Sequence, residues 1–273
     1  MKVAVCLHGY FENKGGIFDS FKGYEYLKKK VLDKTDCDIF IHSWDIKNRS
    51  HIEKLYDCKK ITFEQQKMFE DELKIIDQNY FFGESNTAPG MYSMNNCFKG
   101  LSFSYSRQQS IKLKRLYEEE NNFKYDCVIV ARFDIGQRGK EHPQKYYATN
   151  INFDPDLNMN FLYSAFWDQL NHGFADHWFY SNSENMDVVG NLYDKLTQYY
   201  QPNSEYVNSV INGWPDSNEN EQFSNEMLSD NKTDDLKKWP LWACVDNHKL
   251  YKWYFIDTGL YKKCRFVDIT VDE

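Results

Sequence analysis

No apolar run in this sequence approaches the roughly 18 residues that a membrane helix needs. The longest, Cys127-Val128-Ile129-Val130-Ala131, has the length of a strand. Met1-Lys2-Val3-Ala4-Val5 runs straight into a strand-like segment, without the apolar core or small-residue cleavage site of a signal peptide, so a cytoplasmic chain is expected. An excess of basic charge is also missing. With 33 Lys+Arg against 41 Asp+Glu the net charge is −8, which disfavours nucleic acid as the main partner. The seven cysteines form no C-x-x-C pair, which speaks against a zinc ribbon or a disulfide framework. G-x-G-x-x-G, G-x-x-x-x-G-K-[ST], H-E-x-x-H, G-x-S-x-G and H-R-D are all absent, so dinucleotide dehydrogenases, P-loop NTPases, zincins, α/β-hydrolases and kinases lose their main support. Neither a repeat nor a convincing linker divides the chain.

What remains is a chain of 273 residues, enough for one large α/β domain. It is rich in aromatics: 20 Tyr, 20 Phe and 7 Trp make 17%. Flat apolar faces with polar edges suit a core, and they equally suit a cleft that stacks on sugars or bases.

The hydrophobic pattern predicts a strand at Val3–Leu7 and a helix bearing Phe18, Phe21, Tyr24, Leu27 and Val31. A second buried strand follows at Asp38–His42, and strand, helix, strand implies a parallel pair with a right-handed crossover. Helices are expected over 48–57 and 64–77, with a short strand near Ile61-Thr62-Phe63. Met91–Glu120 carries the longest helical stripe, interrupted at Gln108 and Gln109 by a bend or by a face that lines a cavity. Tyr125–Ala131 shows the unbroken apolar run of a central parallel strand. Beyond it come a polar loop over 137–159 and strands at Phe161–Trp167 and His177–Tyr180. A helix capped by Ser181-x-x-Glu184 runs to Tyr200, followed by a loop over 201–220 and a short helix over Phe223–Leu228. Trp239–Val271 is aromatic and reads as strands. The expected architecture is a mostly parallel, Rossmann-like α/β sheet flanked by helices. It forms one domain over 1–273, with a first lobe at 1–136 and a second at 137–273.

Ligands of open parallel sheets bind outside the carboxyl ends of the strands. Three such ends stand out: His8-Gly9, Ser43-Trp44-Asp45 and Arg132-Phe133-Asp134. At the third, Asp134 has the chemistry to hold a hard divalent cation, and Arg132, on the same side of the strand, suits phosphate. The alternative is an Arg–Asp pair that only closes the strand end.

The block Tyr117-Glu118 through Asn122-Phe123-Lys124-Tyr125-Asp126, an apolar strand and Arg132-Phe133-Asp134 resembles a group of bacterial, phage and giant-virus glycosyltransferases that includes relatives of lipopolysaccharide-synthesis transferases. Asp38-Ile39-Phe40-Ile41-His42-Ser43-Trp44 and Ala175-Asp176-His177-Trp178-Phe179 match two further elements of that group, and together the matches span about residues 1–200. The resemblance implies a GT-A-like fold and transfer from a nucleotide-diphosphate sugar to a saccharide or glycoconjugate. The first lobe then holds the donor and the second the acceptor, with Arg-x-Asp in place of Asp-x-Asp. Asp134 would bind Mn²⁺ or Mg²⁺, while His8, Gly9, Lys14, Arg107 and Arg132 would face the donor.

An inverting transfer needs a base for the acceptor hydroxyl. Asp176 is the first candidate, with a capping carboxylate as the alternative; Glu226 is the second. His172 and His177 are expected to make ordinary hydrogen bonds, and His248 is a weak candidate metal ligand. Two other functions stay open. One is a non-catalytic glycan- or protein-binding module on a degenerate transferase frame. The other is a transferase acting on nucleic acid, for which the Lys28-Lys29-Lys30 cluster is the single supporting feature.

Overall fold

The computed structural model describes residues 1–12, 20–83, 96–136, 149–166, 172–214 and 238–267. Lys14, Glu226 and the expected helix over Phe223–Leu228 lie outside the described residues.

Among the described residues seven strands form one sheet, and each central strand is apolar on both sides because helices cover both faces. They are β1 (Val3–Gly9), β2 (Cys37–Ser43), β3 (Cys58–Phe63), β4 (Cys127–Arg132), β5 (Leu162–Ala165), β6 (Trp178–Ser181) and β7 (Cys264–Val267). Their order is β3-β2-β1-β4-β6-β5-β7. β1, β2, β3 and β4 run parallel, β6 is antiparallel to both β4 and β5, and β5 pairs parallel with β7. The molecule is therefore α/β with a mostly parallel, Rossmann-like sheet. Among the described residues no helix is long and apolar enough to cross a membrane.

Alternation along the strands divides the core in two. Ala4, Cys6, Phe40, Val128, Val130 and Phe179 face one side. Val3, Val5, Leu7, Ile39, Ile41, Ile129 and Trp178 face the other. The second side is covered by α1 (Ser20–Leu27), which continues into a π-helical turn at Lys28–Leu32, and by α2 (Arg49–Leu55) through Leu27, Val31 and Ile52. The first side takes α5 (Cys97–Asn121), preceded by the short helices α3 (Glu70–Ile75) and α4 (Gln78–Phe82). On the same side lie α6 (Ser183–Gly190), α7 (Leu196–Tyr199) and α8 (Glu205–Asn212).

Three local expectations are corrected. The cap of α6 is Asn182, whose side chain accepts from the Asn185 amide; Ser181 still belongs to β6 and donates to Phe161 O at 2.7 Å. The stretch after Tyr200 is not all loop, because Ser204 caps the amide of Val207 and opens α8. Trp239–Val271 is chiefly helical. A 3-10 turn at Leu241–Val245 leads into α9 (Asn247–Asp257), and among the described residues of this stretch only β7 is strand. Lys249 through Phe255 are all buried in α9, so its sequence shows no one-sided stripe, and its Tyr, Trp and Phe mimic strand propensity.

Candidate active site

β1 leads to β2 on one side and lies against β4 on the other, so the strand order reverses between β1 and β4. The crevice at such a switch point is where an open α/β sheet binds ligands. His8 stands opposite Arg132 in the register of the two strands. β6 runs the other way, so its entry, Asp176-His177, meets the exit of β4, and Arg132 N donates to His177 O at 3.2 Å. From the first core side α5 contributes Arg107 and Ser106, and the start of α9 contributes His248. The seven residues come from five elements.

The end of β1 is fixed by a hydrogen-bond chain. Gly9, at φ +103, donates its amide to Ser106 Oγ at 2.9 Å. Ser106 Oγ lies 2.7 Å from His42 Nδ1, and His42 Nε2 lies 2.6 Å from Glu64 Oε1. A carboxylate only accepts, so His42 donates from Nε2 and takes the serine hydroxyl on Nδ1. Burial holds His42 below its ordinary pKa against the opposing pull of Glu64. Asp45, beyond β2, accepts the Glu12 amide at 3.0 Å and ties the loop after β1 to the same edge.

The α5 helix runs on through the polar break: Gln108 is 9% exposed, and Ser106, Arg107 and Ser110 beside it are completely buried. The guanidinium lies over the rings of Phe103, Tyr251 and Phe179 at 4.6, 4.7 and 5.2 Å. It donates to Asp176 O and, at 3.1 Å, to His8 Nε2. Arginine is always a donor, so the neutral His8 ring carries its proton on Nδ1. Burial, then the charges of Arg107, Arg132 and His42, hold His8 well below its ordinary pKa. Arg107 Nη1, His8 Nδ1 and His177 Nδ1 are all buried without a hydrogen-bond partner among the described residues. Buried orphan donors are rare enough that a group of them needs a cause.

Asp176 is 4% exposed. Among the described residues no hydrogen bond reaches its carboxylate; the ring nitrogens His177 Nδ1 and His248 Nδ1 each lie 3.7 Å from Oδ1. Burial alone raises a carboxylate pKa, but His248, His177, Arg132 and Arg107 outweigh it and hold Asp176 below the usual range. It is ionised at neutral pH and caps no helix. His177 is pushed down to about 4, by burial and then by Arg132, and stays neutral. His248 donates from Nδ1 to Phe174 O at 2.7 Å. Behind it, Asp246 caps α9 through the His248 amide and faces His172 Nε2 at 3.3 Å. Gly173 allows this close approach: at φ +118, a Cβ there would stand 2.3 Å from His248 O.

Arg132 and Asp134 form a two-pronged pair, Nε to Oδ1 at 2.8 Å and Nη2 to Oδ2 at 2.5 Å. Their side chains are 31% and 17% exposed. Both carboxylate oxygens expected to hold a divalent cation are thus occupied by a guanidinium. Among the described residues no group of three or more His, Cys, Asp or Glu could hold a metal ion. Two unit charges about 4 Å apart exchange about 4 kcal/mol at an effective dielectric near 20, and a dication doubles the repulsion. The donor set at Asp134 does not fit a divalent cation.

The structure therefore brings together His8, Gly9, Arg107, Arg132, Asp134 and Asp176. Sequence reasoning passed over His177 as ordinary and offered His248 only as a metal ligand, whereas its Nδ1 is taken by Phe174 O. No local signal pairs residues 174 and 248; the packing of Gly173 on α9 does. A scan against protein-family models and a search of curated proteins find no match to this chain.

Proposed function

We propose that this chain transfers a glycosyl group from a nucleoside-diphosphate sugar to a saccharide or glycoconjugate, on a GT-A-like frame with a donor lobe and an acceptor lobe. The observation that carries the reading is the convergence, at the switch point of the sheet, of two arginines and buried N–H donors that have no partner among the described residues beside an ionised carboxylate. Diphosphate oxygens are acceptors only, and such donors match them. Asp176 takes the proton of the acceptor hydroxyl as its oxygen attacks the anomeric carbon. The bond from that carbon to the diphosphate oxygen breaks, and the electron pair leaves on the nucleotide. Preorganised donors at the β1 and β4 ends stabilise the developing charge.

A second reading is supported by the closed Arg132–Asp134 pair: a glycan- or protein-binding module without catalysis. Thermal unfolding of the full chain with UDP-, GDP-, ADP- and dTDP-sugars separates the two. A donor at about a hundred times its Kd adds roughly 2.7 kcal/mol of stability. Asp176→Asn is expected to keep that stabilisation while lowering sugar transfer by about 10²- to 10⁴-fold. If no donor shifts the melting curve, the binding module is the correct reading.

A further inference from the structure

We infer that the donor diphosphate is met by the guanidinium of Arg132, with Asp134 as its fixed counter-ion, and that donor binding needs no divalent cation. This inference rests on the transferase reading above. Asp134 lies just beyond the end of β4, where a metal-binding carboxylate is expected, yet both its oxygens accept from one guanidinium, at 2.8 and 2.5 Å. Two parallel N–H···O bonds hold the fork in a single plane. Arg132 has five N–H donors, and the pair uses only those on Nε and Nη2. The side chain remains 31% exposed, at the switch point where the strand order reverses. A guanidinium so oriented needs no further ordering to meet a phosphate, and planar donor geometry matches phosphate oxygens better than a point charge does.

The surroundings favour the same division of labour. Arg107, fully buried, and Arg132 supply two permanent cations; Asp134 and Asp176 supply two carboxylates. The nearby imidazoles of His8 and His177 are held neutral and add N–H donors without adding charge. Among these described groups the charges balance before ligand arrives. A diphosphate brings negative charge toward Arg132, which already has a carboxylate on its other edge. A dication on Asp134 would have to displace that guanidinium from both oxygens.

The test is titration calorimetry of the full chain with UDP, GDP, ADP and dTDP, in EDTA and in excess Mn²⁺. Wild type, Arg132→Ala, Arg132→Lys and Asp134→Asn are compared, each with its melting temperature measured without ligand. For wild type, one diphosphate is expected to bind with the same Kd, within about twofold, in EDTA and in Mn²⁺. Loss of a charge-assisted contact in Arg132→Ala weakens binding by about ten- to a hundredfold, and Mn²⁺ does not restore it. Arg132→Lys keeps the charge without the fork and falls between the two. This variant carries the test if Arg132→Ala does not fold. Asp134→Asn retains most of the affinity in EDTA. Tightening by Mn²⁺ of tenfold or more in wild type, lost in Asp134→Asn, overturns the inference and leaves the transferase reading standing. Absence of binding by every diphosphate in both conditions overturns the transferase reading itself, and this inference with it.

Discussion

The long helix α5 buries polar groups at two places, and the two differ in how far they are satisfied. Toward its carboxyl end, Lys114 Nζ donates to Glu118 Oε2, Ser183 Oγ and Asp187 Oδ1 at 3.1, 2.6 and 2.7 Å. Glu118 also accepts from Lys124 Nζ at 3.0 Å, the Tyr125 amide at 2.9 Å and Ser183 Oγ at 2.6 Å. Two turns earlier, Arg107 meets His8 and Asp176 O, and among the described residues its Nη1 has no partner, nor has Nδ1 of His8 or of His177. Both places are equally dry, with Arg107, Lys114 and Glu118 at 0, 0 and 1% exposure, so burial does not distinguish them. Saturation does. A saturated ionic network is a structural device that locks α5 to α6 and to the start of β4. Donors left open at a strand switch point are the mark of a place prepared for something else.

The largest effect expected from this contrast is on stability. Lys114→Met removes the hub of the saturated cluster and leaves carboxylates short of a partner, at a cost of about 3–5 kcal/mol. Denaturant unfolding reads the loss, and diphosphate affinity is expected to stay unchanged. A parallel loss of affinity would break the division between the two clusters.

Acid titration sharpens the same contrast. His177 is neutral in the folded protein down to about pH 4, whereas an unfolded histidine takes up a proton near 6.5. The unfolded chain therefore binds more protons as pH falls through that window, and stability drops, by at most about 1.4 kcal/mol per pH unit for each such histidine. His8 and His42 shift in the same direction. Glu118 behaves otherwise. Burial raises its pKa, but Ser183, the Tyr125 amide, Lys114 and Lys124 bring it below its ordinary 4.5, so its contribution is present above 4.5 and is lost only in stronger acid. Unfolding midpoints measured from pH 7 to 4.5 should thus report the open cluster, and His177→Gln should flatten the slope. An unchanged slope would place the acid lability elsewhere.

The smallest effect is Ser183→Ala, which removes one bridging hydroxyl from the saturated cluster and should cost about 1 kcal/mol in unfolding experiments. If it costs nothing, a neighbour fills the gap, and the cluster is less tightly determined than its distances imply.

Parts of this molecule were readable because they answer to short-range rules. β1, β2 and β4 announce themselves as apolar runs, since a strand covered on both faces has no polar alternation. α5 shows its stripe, and next to the pause at Gln108 the helix buries the charge of Arg107. α9 was read as strand for the complementary reason: a helix buried on every side has no periodicity to detect, and its aromatic residues favour strands. His8 and Arg132 could be named from strand ends, and Asp176 from the Ala175-Asp176-His177-Trp178-Phe179 block that carries the resemblance. Their meeting could not, because it depends on β6 entering the sheet antiparallel beside β4.

The sequence by itself determined the α/β class, the parallel core strands and the residues at their tips, because burial of apolar side chains acts locally along the chain. The tertiary structure alone decided that Asp134 faces Arg132 in a closed pair and that Arg107 reaches Asp176 O from a helix 69 residues away. It also decided that His248 stands over Asp176, held by Phe174 O across 74 residues. Those contacts follow from how the elements pack, and the free energy of an ion pair or a hydrogen bond is set by geometry and by the exclusion of water, neither of which exists until the elements have packed.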